Sequence, residues 1–435
     1  MTTNSDPTRR EFFRRFAGDL VSSAAQLSKA VADLREESAS EAAALLSDGL
    51  GTGSLAAMGG AASSTAPQRA ADVDGGDAAP GASGYRSAFR LDDDDVLVLV
   101  DQRRLPDAIV EVPVRGAPEG ARAIRDGVVC GAPAIAQVAA VALAETGRAA
   151  RLAQPHARRA ILENAAGTLR NAAATAVAAI RAIDRVFAAY VGVGELSEDG
   201  EGIAAAMWAE AMRIVAEATE DHGRIAEAGL ASLPATEGRP LEVLTHGSTG
   251  ALAGGQYGTA LGIVLAAHHA ERPVHVWVDE TRPDLQGARL TAWELRQAGV
   301  DHTLVPDGAA ASLLAAGRVD VVLVGADRVA ANGDLASTIG TYPLAVLAAR
   351  HGVPFVVVVP STSIDLAAPD GAAIPIEERS ADEVTGLRGT RIAPLGTTVL
   401  SPAVDITPAE LISAIVTERG VLHPPFGASL QAGDR

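Results

Sequence analysis

The spacing of apolar residues changes near residue 236 of this 435-residue chain. From about 120 to 232, alanine and aliphatic residues recur at helical spacing with few helix breakers. From 241 onward, short aliphatic runs such as "LEVLTHG", "VHVWVDE" and "VDVVLVGAD" alternate with segments of helical spacing. Strands that alternate with helices predict a parallel sheet covered on both faces. We therefore predict an α/β fold, with a mostly helical domain over 86–235 and a Rossmann-like α/β domain over 236–430.

The first 85 residues have a different character. Residues 1–50 predict a helical extension, and residues 51–85 have the Gly, Ala and Ser composition of a flexible linker. The segment "TRREFFRRF" resembles a twin-arginine export signal, but an apolar stretch should follow such a signal. Instead Asp19 and Asp33 interrupt the next segment, which favours an amphipathic helix on the surface or against a protein partner.

Charge and composition narrow the classes of partner. The formal net charge of −18 argues against nucleic acid, because phosphate backbones require basic surfaces. A small phosphorylated ligand needs only a local positive pocket. The single cysteine permits neither an intramolecular disulfide nor a multi-cysteine zinc site, and no apolar run is long enough to cross a membrane. We expect a cytoplasmic protein without a membrane partner.

Polar residues follow several of the predicted strands, where parallel sheets bind ligands. In "LTHGSTG" (244–250) a glycine-rich turn opens into a helix, so it either binds an anion with backbone amides or packs the helix closely. Asp327 follows a buried strand, and burial raises the pKa of a carboxyl and suits it to general acid catalysis. The alternative is a helix N-cap or an ion pair with Arg328. The run Asp92–Asp95 is interpreted as a solvated turn, and we predict no metal and no cofactor.

Eight segments occur together in the order of one known family. They resemble the methylthioribose-1-phosphate isomerase family, whose relatives include ribose-1,5-bisphosphate isomerase and the regulatory subunits of the exchange factor for translation initiation factor two. The resemblance covers roughly 88–425 and leaves residues 1–85 unexplained. The segments are "LVDQRRLP", "CGAPAIA", "LTHGSTGALA", "ETRPDLQGARLTAWEL", "GADRVAANGDLASTIGTYPLAVLA", "PSTSID", "IPIEERSADEVT" and "DITPAELISAIVTERG".

The resemblance implies conversion of an aldose, phosphorylated at its anomeric carbon, into a ketose phosphate, a step of methionine salvage. It implies that Asp327 is the acid that assists ring opening, and it suggests a homodimer formed through the C-terminal domain. It also implies substrate contacts at Cys130, Gly131, Ala132, Arg170, Gln286, Ser337 and Thr338.

Three departures from the family pattern fall within these segments. The family has cysteine where this chain has Gly247, arginine where it has Cys130, and Asn-Lys where it has Ser337 and Thr338. Ser248 offers a hydroxyl beside the missing thiol, but a hydroxyl is a far weaker acid. A further hypothesis is that the thiol has moved to Cys130; the alternative is that Cys130 fills space left by arginine.

Two functions remain open at this point. The first is an aldose–ketose isomerase of a sugar phosphate that uses Asp327, and the second is a non-catalytic ligand-binding or regulatory protein on the same fold. The retained "GADRVAANGD" segment favours the isomerase, and the missing thiol and cations favour the binding protein.

Overall fold

The computed structural model describes residues 87–432. The predictions for the helical extension at 1–50 and for the linker at 51–85 lie outside the described residues. The predicted partner-binding helix lies there as well.

The N-terminal part combines a small antiparallel sheet with five helices. Strands β1–β3 are Phe89–Leu91, Leu97–Val100 and Glu111–Val114, and helices α1–α5 are Ala117–Arg125, Ala132–Ala149, Pro155–Ala172, Val177–Val193 and Gly200–Ser232. Helix α2 is the centre of this part, because most of its side chains are buried in the largest apolar cluster. Its alanines lack bulk, so the neighbouring helices α4 and α5 pack closely on it.

The described C-terminal part contains thirteen strands and seven α-helices, besides short 3-10 and π segments. Strands β4–β16 are Leu241–His246, Val274–Asp279, His302–Val305, Val321–Val324, Arg328–Ala330, Leu335–Thr338, Phe355–Val358, Ile364–Asp365, Gly386–Leu387, Thr390–Arg391, Val404–Thr407, Ala414–Thr417 and Gly420–Leu422. Helices α6–α12 are Ala251–Gly254, Ala260–His269, Ala292–Gln297, Ala310–Ala315, Thr341–His351, Ala381–Thr385 and Phe426–Ala432.

The main sheet has seven strands in the order β16-β15-β10-β7-β4-β5-β6. All neighbouring pairs are parallel except β15 and β16. Alternate residues of the central strand β7 enter different apolar clusters: Val322 contributes to the cluster with α9 and α10, and Leu323 to the cluster with α5 and α7. Helices therefore cover both faces, and the predicted α/β fold with a parallel sheet is confirmed.

The structure shows no separate domains at the point where the hydrophobic periodicity of the sequence changes. Helix α5 ends at Ser232 and β4 begins at Leu241, but the described residues belong to one compact unit. The domain boundary near 235 therefore stays a prediction. The sequence pattern also missed a second, four-stranded sheet in the order β11-β8-β9-β14, because these strands have only two to four residues and polar neighbours.

None of the helices within residues 87–432 combines the length and apolarity required to cross a bilayer.

A buried arginine connects the ends of three helices in the N-terminal part. Arg158 of α3 is 2% exposed, although arginine is rarely buried without partners. Its guanidinium donates to four backbone carbonyls, those of Ala150, Arg151, Ala153 and Ser197. The first three carbonyls follow α2, and that of Ser197 precedes α5. Two carbonyls cannot bond to each other because both are acceptors, so the Arg158 side chain supplies the hydrogen-bond donors that both segments need.

We expect Arg158→Met to lower the free energy of unfolding by about 2–4 kcal/mol, because buried carbonyls then lose a charged donor. Urea denaturation followed by circular dichroism measures this loss. The control is Arg159→Met on the next residue, whose exposed ion pairs with Glu163 and Glu195 should contribute far less to stability. Equal losses in the two variants would contradict the role assigned to Arg158.

Candidate functional site

A cavity with two chambers opens at the carboxyl ends of β4 and β7. The smaller chamber, of about 40 Å³, is lined by the start of α2, the turn 246–249 and residues 325–327. The larger chamber, of about 630 Å³, extends toward residues 171–176, 281–286 and 375–383. Both chambers are lined by Gly131, Ser248, Asp327 and Thr338, so they meet there. The location agrees with the rule that ligands bind beyond the carboxyl ends of parallel strands.

The turn after β4 is held by side chains from the neighbouring segment. Gly247 has φ +77°, a left-handed conformation that glycine adopts readily. Its amide donates to Thr281 Oγ1 at 2.9 Å, and its carbonyl accepts from Thr291 Oγ1 at 2.7 Å. A Cβ added at Gly247 would lie 3.3 Å from Thr338 Oγ1. A side chain at position 247 would therefore lie close to Thr338, in one wall of the smaller chamber.

A buried ion pair lies beneath this turn. His246 Nδ1 is 3.3 Å from Asp279 Oδ2, and His246 Nε2 is 2.9 Å from the carbonyl of Ile339. The carbonyl of Ile339 can only accept, so Nε2 donates to it, and the carboxyl group of Asp279 beside Nδ1 favours the protonated ring. Burial alone lowers the pKa of His246, but the hydrogen bond and the charge of Asp279 outweigh it and raise the pKa. The positive charge of His246 is thus matched by Asp279.

Within the described part of the chain, Asp327 is the one carboxyl group that lines the smaller chamber. Its backbone amide bonds to the carbonyl of Ala336 at 2.9 Å, and burial raises the pKa of its side chain from 3.8 to about 6. The alternative of an ion pair with Arg328 is wrong, because that guanidinium binds Asp365, with Nε 2.8 Å from Oδ2. The N-cap alternative is wrong as well, because Asp327 precedes a strand.

Glu294 supports the floor of the site, and the sequence analysis missed it. It is 1% exposed, and its Oε2 accepts from the backbone amide of Leu252 at 3.3 Å. Burial raises its pKa to about 8. A Cβ added at Gly250 would meet this carboxyl group, so a larger residue there would displace it. The only signal in the sequence is an acidic residue within an otherwise apolar stripe of "LTAWEL".

The structure brings most of the predicted contact residues to the two chambers. Ala132, Gly247 and Ser337 line the smaller chamber, Cys130 and Gln286 line the larger one, and Gly131, Ser248 and Thr338 line both. The Ser248 hydroxyl is buried and has no hydrogen-bond partner among residues 87–432. Such a group is available to a ligand.

Arg170 does not come to the cavity. Its Nη2 is 2.6 Å from Asp184 Oδ1, and its guanidinium lies over the ring of Phe187. The following residues, 171–176, line the larger chamber instead. The expectation that Arg170 contacts the substrate is therefore not supported by its position, because its charge is already matched on the outer side of the helix.

Cys130 lines the larger chamber as a protonated thiol. Its Sγ is 3.7 Å from the carbonyl of Gly127. Burial, together with the charge of Asp284, raises the pKa of the thiol to about 12. Reactive cysteines have a lowered pKa, so this environment does not favour the hypothesis that the catalytic thiol has moved to Cys130.

Three arginines, Arg125, Arg282 and Arg379, line the larger chamber. Arg379 bonds to Glu383, with Nη2 2.8 Å from Oε1. The guanidinium of Arg282 donates to the carbonyls of Pro283 and Val384. Arg282 and Arg125 have no carboxylate within ion-pair distance in the described part of the chain, so both can attract an anion.

One group of side chains has the chemistry of a metal site. Among residues 87–432, ligand atoms of His246, Asp279 and Asp307 lie within 4.8 Å of one another. His246 and Asp279 already bond to each other, and the two oxygens of Asp307 accept from the amides of Thr281 and Arg282 at 2.7 and 2.8 Å. These bonds give the three side chains a structural role in holding the turns.

Comparison with known proteins identifies the family. The chain matches the initiation factor 2 subunit family over residues 128–424, which is more than half of its length. The chain belongs to this family. The match includes every residue of the two chambers except Ile124, Arg125 and Gly127.

Curated relatives and solved structures extend the comparison. Methylthioribose-1-phosphate isomerase from Thermus thermophilus is 47% identical over 344 residues, 79% of this chain and 96% of that protein. The crystal structure of 5-methylthioribose 1-phosphate isomerase from Pyrococcus horikoshii has a TM-score of 0.72 at 37% identity, covering 80% of this chain and 96% of that one. The crystal structure of translation initiation factor eIF-2B, subunit delta, from A. fulgidus has a TM-score of 0.67 at 34% identity, covering 79% and 97%.

We expect Asp327→Asn to stabilise the protein at pH 8 and to leave stability unchanged below pH 4. The folded-state pKa of Asp327, about 6, exceeds its ordinary 3.8, so the folded state binds more protons between these values and stability falls as pH rises through them. The gain at pH 8 should be about 1–3 kcal/mol. Urea unfolding at both pH values measures it, with Asp301→Asn, an exposed site, as the control. A gain of the same size at both pH values would refute the assignment.

Proposed function

We propose that this chain is an aldose–ketose isomerase of a sugar phosphate, with Asp327 as the general acid. The observation that carries the proposal is a carboxyl group with a pKa of about 6 at the junction of the two chambers, without an ion-pair partner within residues 87–432. A general acid works best when its pKa lies near the working pH. The names of the isomerase relatives, up to 48% identical, support the same reaction class.

The geometry suits ring opening followed by hydrogen transfer between two carbons. Protonated Asp327 donates to the ring oxygen of the sugar, which breaks the bond between that oxygen and the anomeric carbon. The hydrogen on carbon two then moves to carbon one with its electron pair, the oxygen on carbon two forms the ketone, and its hydroxyl proton returns to Asp327. No external oxidant is needed. The unpartnered Ser248 hydroxyl bonds to a sugar oxygen. The amino-terminal end of α2, at Gly131 and Ala132, faces the same space, and its partial positive charge stabilises an oxygen that gains negative charge.

A second candidate is a non-catalytic protein that binds a ligand in the same cavity. The observation that favours it is Gly247, which lines the smaller chamber without a side chain, at the position where the resemblance implies a thiol. The similarity to a protein named as a translation initiation factor subunit is compatible with this candidate. Asp327 distinguishes the two, since a binding protein has no need for a carboxyl group with a pKa shifted toward neutrality.

We expect the purified chain to form a ketose phosphate from an aldose phosphate, observed by ¹H and ³¹P NMR. Asp327→Asn should lower kcat by about 10²–10⁴-fold, because the amide cannot donate the proton. In the wild type, kcat/KM should fall as pH rises above about 6, where Asp327 loses its proton. Asp301→Asn is the matched control and should retain activity. Ligand binding without turnover, unchanged in Asp327→Asn, would favour the binding protein instead.

A further inference from the structure

A further pocket lies at the amino ends of the parallel strands, at the edge of the main sheet opposite the two-chambered cavity. It has a volume of about 150 Å³ and lies between helices α5 and α7 and the neighbouring strands β7, β10, β15 and β16. None of its lining residues lines either chamber of the candidate site. It is therefore a separate cavity, which the proposed function leaves unused.

Two strands lead from this pocket to the smaller chamber. Leu323 of β7 and Val356 of β10 line the pocket, whereas Gly325 and Val358, each two residues further along the chain, line the chamber. Residues two apart on a strand face the same side of the sheet, and they are about 7 Å apart along it. A molecule in the pocket therefore packs on the strands that lead to the chamber without entering it.

The pocket exists because small residues stand where α5 crosses the sheet. Gly229 lets α5 approach α7 so closely that a Cβ there would clash with the side chain of Ile263. Ala414, the first residue of β15, contributes only a methyl group to the lining. Protein interiors contain few voids larger than a water molecule, and an empty apolar void forfeits packing contacts. A ligand of the right size would restore these contacts.

The interior of the pocket is apolar, and its mouth is polar. Ile263, Val321 and Leu323, each 1% exposed, belong to the interior. The exposed lining residues, which surround the mouth, are Ser232, Pro354, Ser413 and His423. Within the described part of the chain, no Asp, Glu, Lys or Arg side chain lines the pocket. A charged ligand would lose its hydration there without gaining a partner, so the lining favours an uncharged one.

Size and hydrogen-bonding groups narrow the ligand further. An apolar cavity of about 150 Å³ is large enough to bind benzene. Ser232 Oγ already donates to the carbonyl of Gly229 at 2.8 Å, and Ser413 Oγ accepts from the amide of Phe355 at 3.0 Å. The Ser413 hydroxyl can still donate its proton, and the His423 ring offers a donor and an acceptor. The mouth can therefore bind one polar group of a ligand.

We infer that this pocket is a second binding site, for a small uncharged molecule with one apolar ring and one hydrogen-bonding group. The ring lies against Ile263, Val321 and Leu323, and the polar group lies at the mouth beside Ser413 and His423. The inference does not depend on the proposed function, because no residue of the two chambers takes part in it.

Benzamide and benzoate are matched probes, because they have nearly the same shape and only benzoate is charged at neutral pH. Binding to the full-length chain is measured by ligand-observed ¹H NMR titration. We expect benzamide to bind with a Kd of about 1 mM or below. Benzoate should bind at least about tenfold more weakly, because its carboxylate gains no cationic partner.

Two variants test the location of the probe. Ser232→Phe adds a ring at the mouth and Ala414→Leu fills the interior, so each should weaken benzamide binding by at least about tenfold. The matched control is Ala231→Phe, which adds the same ring to the adjacent exposed residue of α5 outside the pocket and should leave binding unchanged. Circular dichroism verifies that each variant is folded. Because Ser232 is exposed, Ser232→Phe keeps the test valid if Ala414→Leu does not fold.

Each outcome bears directly on the inference. Benzamide binding that is lost in Ser232→Phe and kept in Ala231→Phe would support it. Binding that persists in Ser232→Phe and Ala414→Leu would place the probe elsewhere and overturn it, as would equal loss in Ala231→Phe. Benzoate binding as tight as that of benzamide would overturn the uncharged class of ligand. Failure of benzamide to bind saturably up to about 10 mM would overturn the site itself.

Discussion

The ion pair between His246 and Asp279 is the contact on which the site depends. It joins the ends of two adjacent strands of the main sheet, and the second ring nitrogen of His246 reaches the carbonyl of Ile339, just after β9. Three separate segments thereby meet at one imidazolium. Burying two charges is costly unless their geometry and hydrogen bonds compensate, and removing one partner leaves the other without compensation. The positions of Gly247 and its turn, and hence of the chamber wall, follow from this pair.

Around the turn held by this ion pair, several polar groups lack ion-pair or hydrogen-bond partners among the described residues. Asp327 has no countercharge among the described residues, while its neighbour Arg328 is paired with Asp365. The hydroxyls of Ser248 and Thr249 are buried without partners among residues 87–432. Polar groups of this kind reduce stability, and most proteins keep few of them. Their concentration around one cavity is physically reasonable if a ligand supplies the missing hydrogen bonds.

Family membership accounts for the fold, and a few side chains determine its function. Relatives named as isomerases and a relative named as a translation initiation factor subunit share this fold at similar identity. Fold alone therefore does not select the function. In this chain the discriminating features are the carboxyl group of Asp327, the absence of a side chain at Gly247, and the arginines gathered in the larger chamber. The proposed roles of Asp327 and of the arginines depend on the charge of a few atoms and not on the topology.

The sequence by itself determined the α/β class, the parallel sheet and the position of Asp327 after a buried strand, because hydrophobic periodicity reports locally which face of an element is buried. Tertiary structure alone decided which charges are paired. Arg328 binds Asp365, 37 residues away, so that Asp327 stays without a partner in the described part of the chain. Arg170 turns outward to Asp184, and Arg125 joins the cavity from a helix outside the motifs first examined. Ion pairing depends on distances between segments remote along the chain, and no local pattern contains those distances.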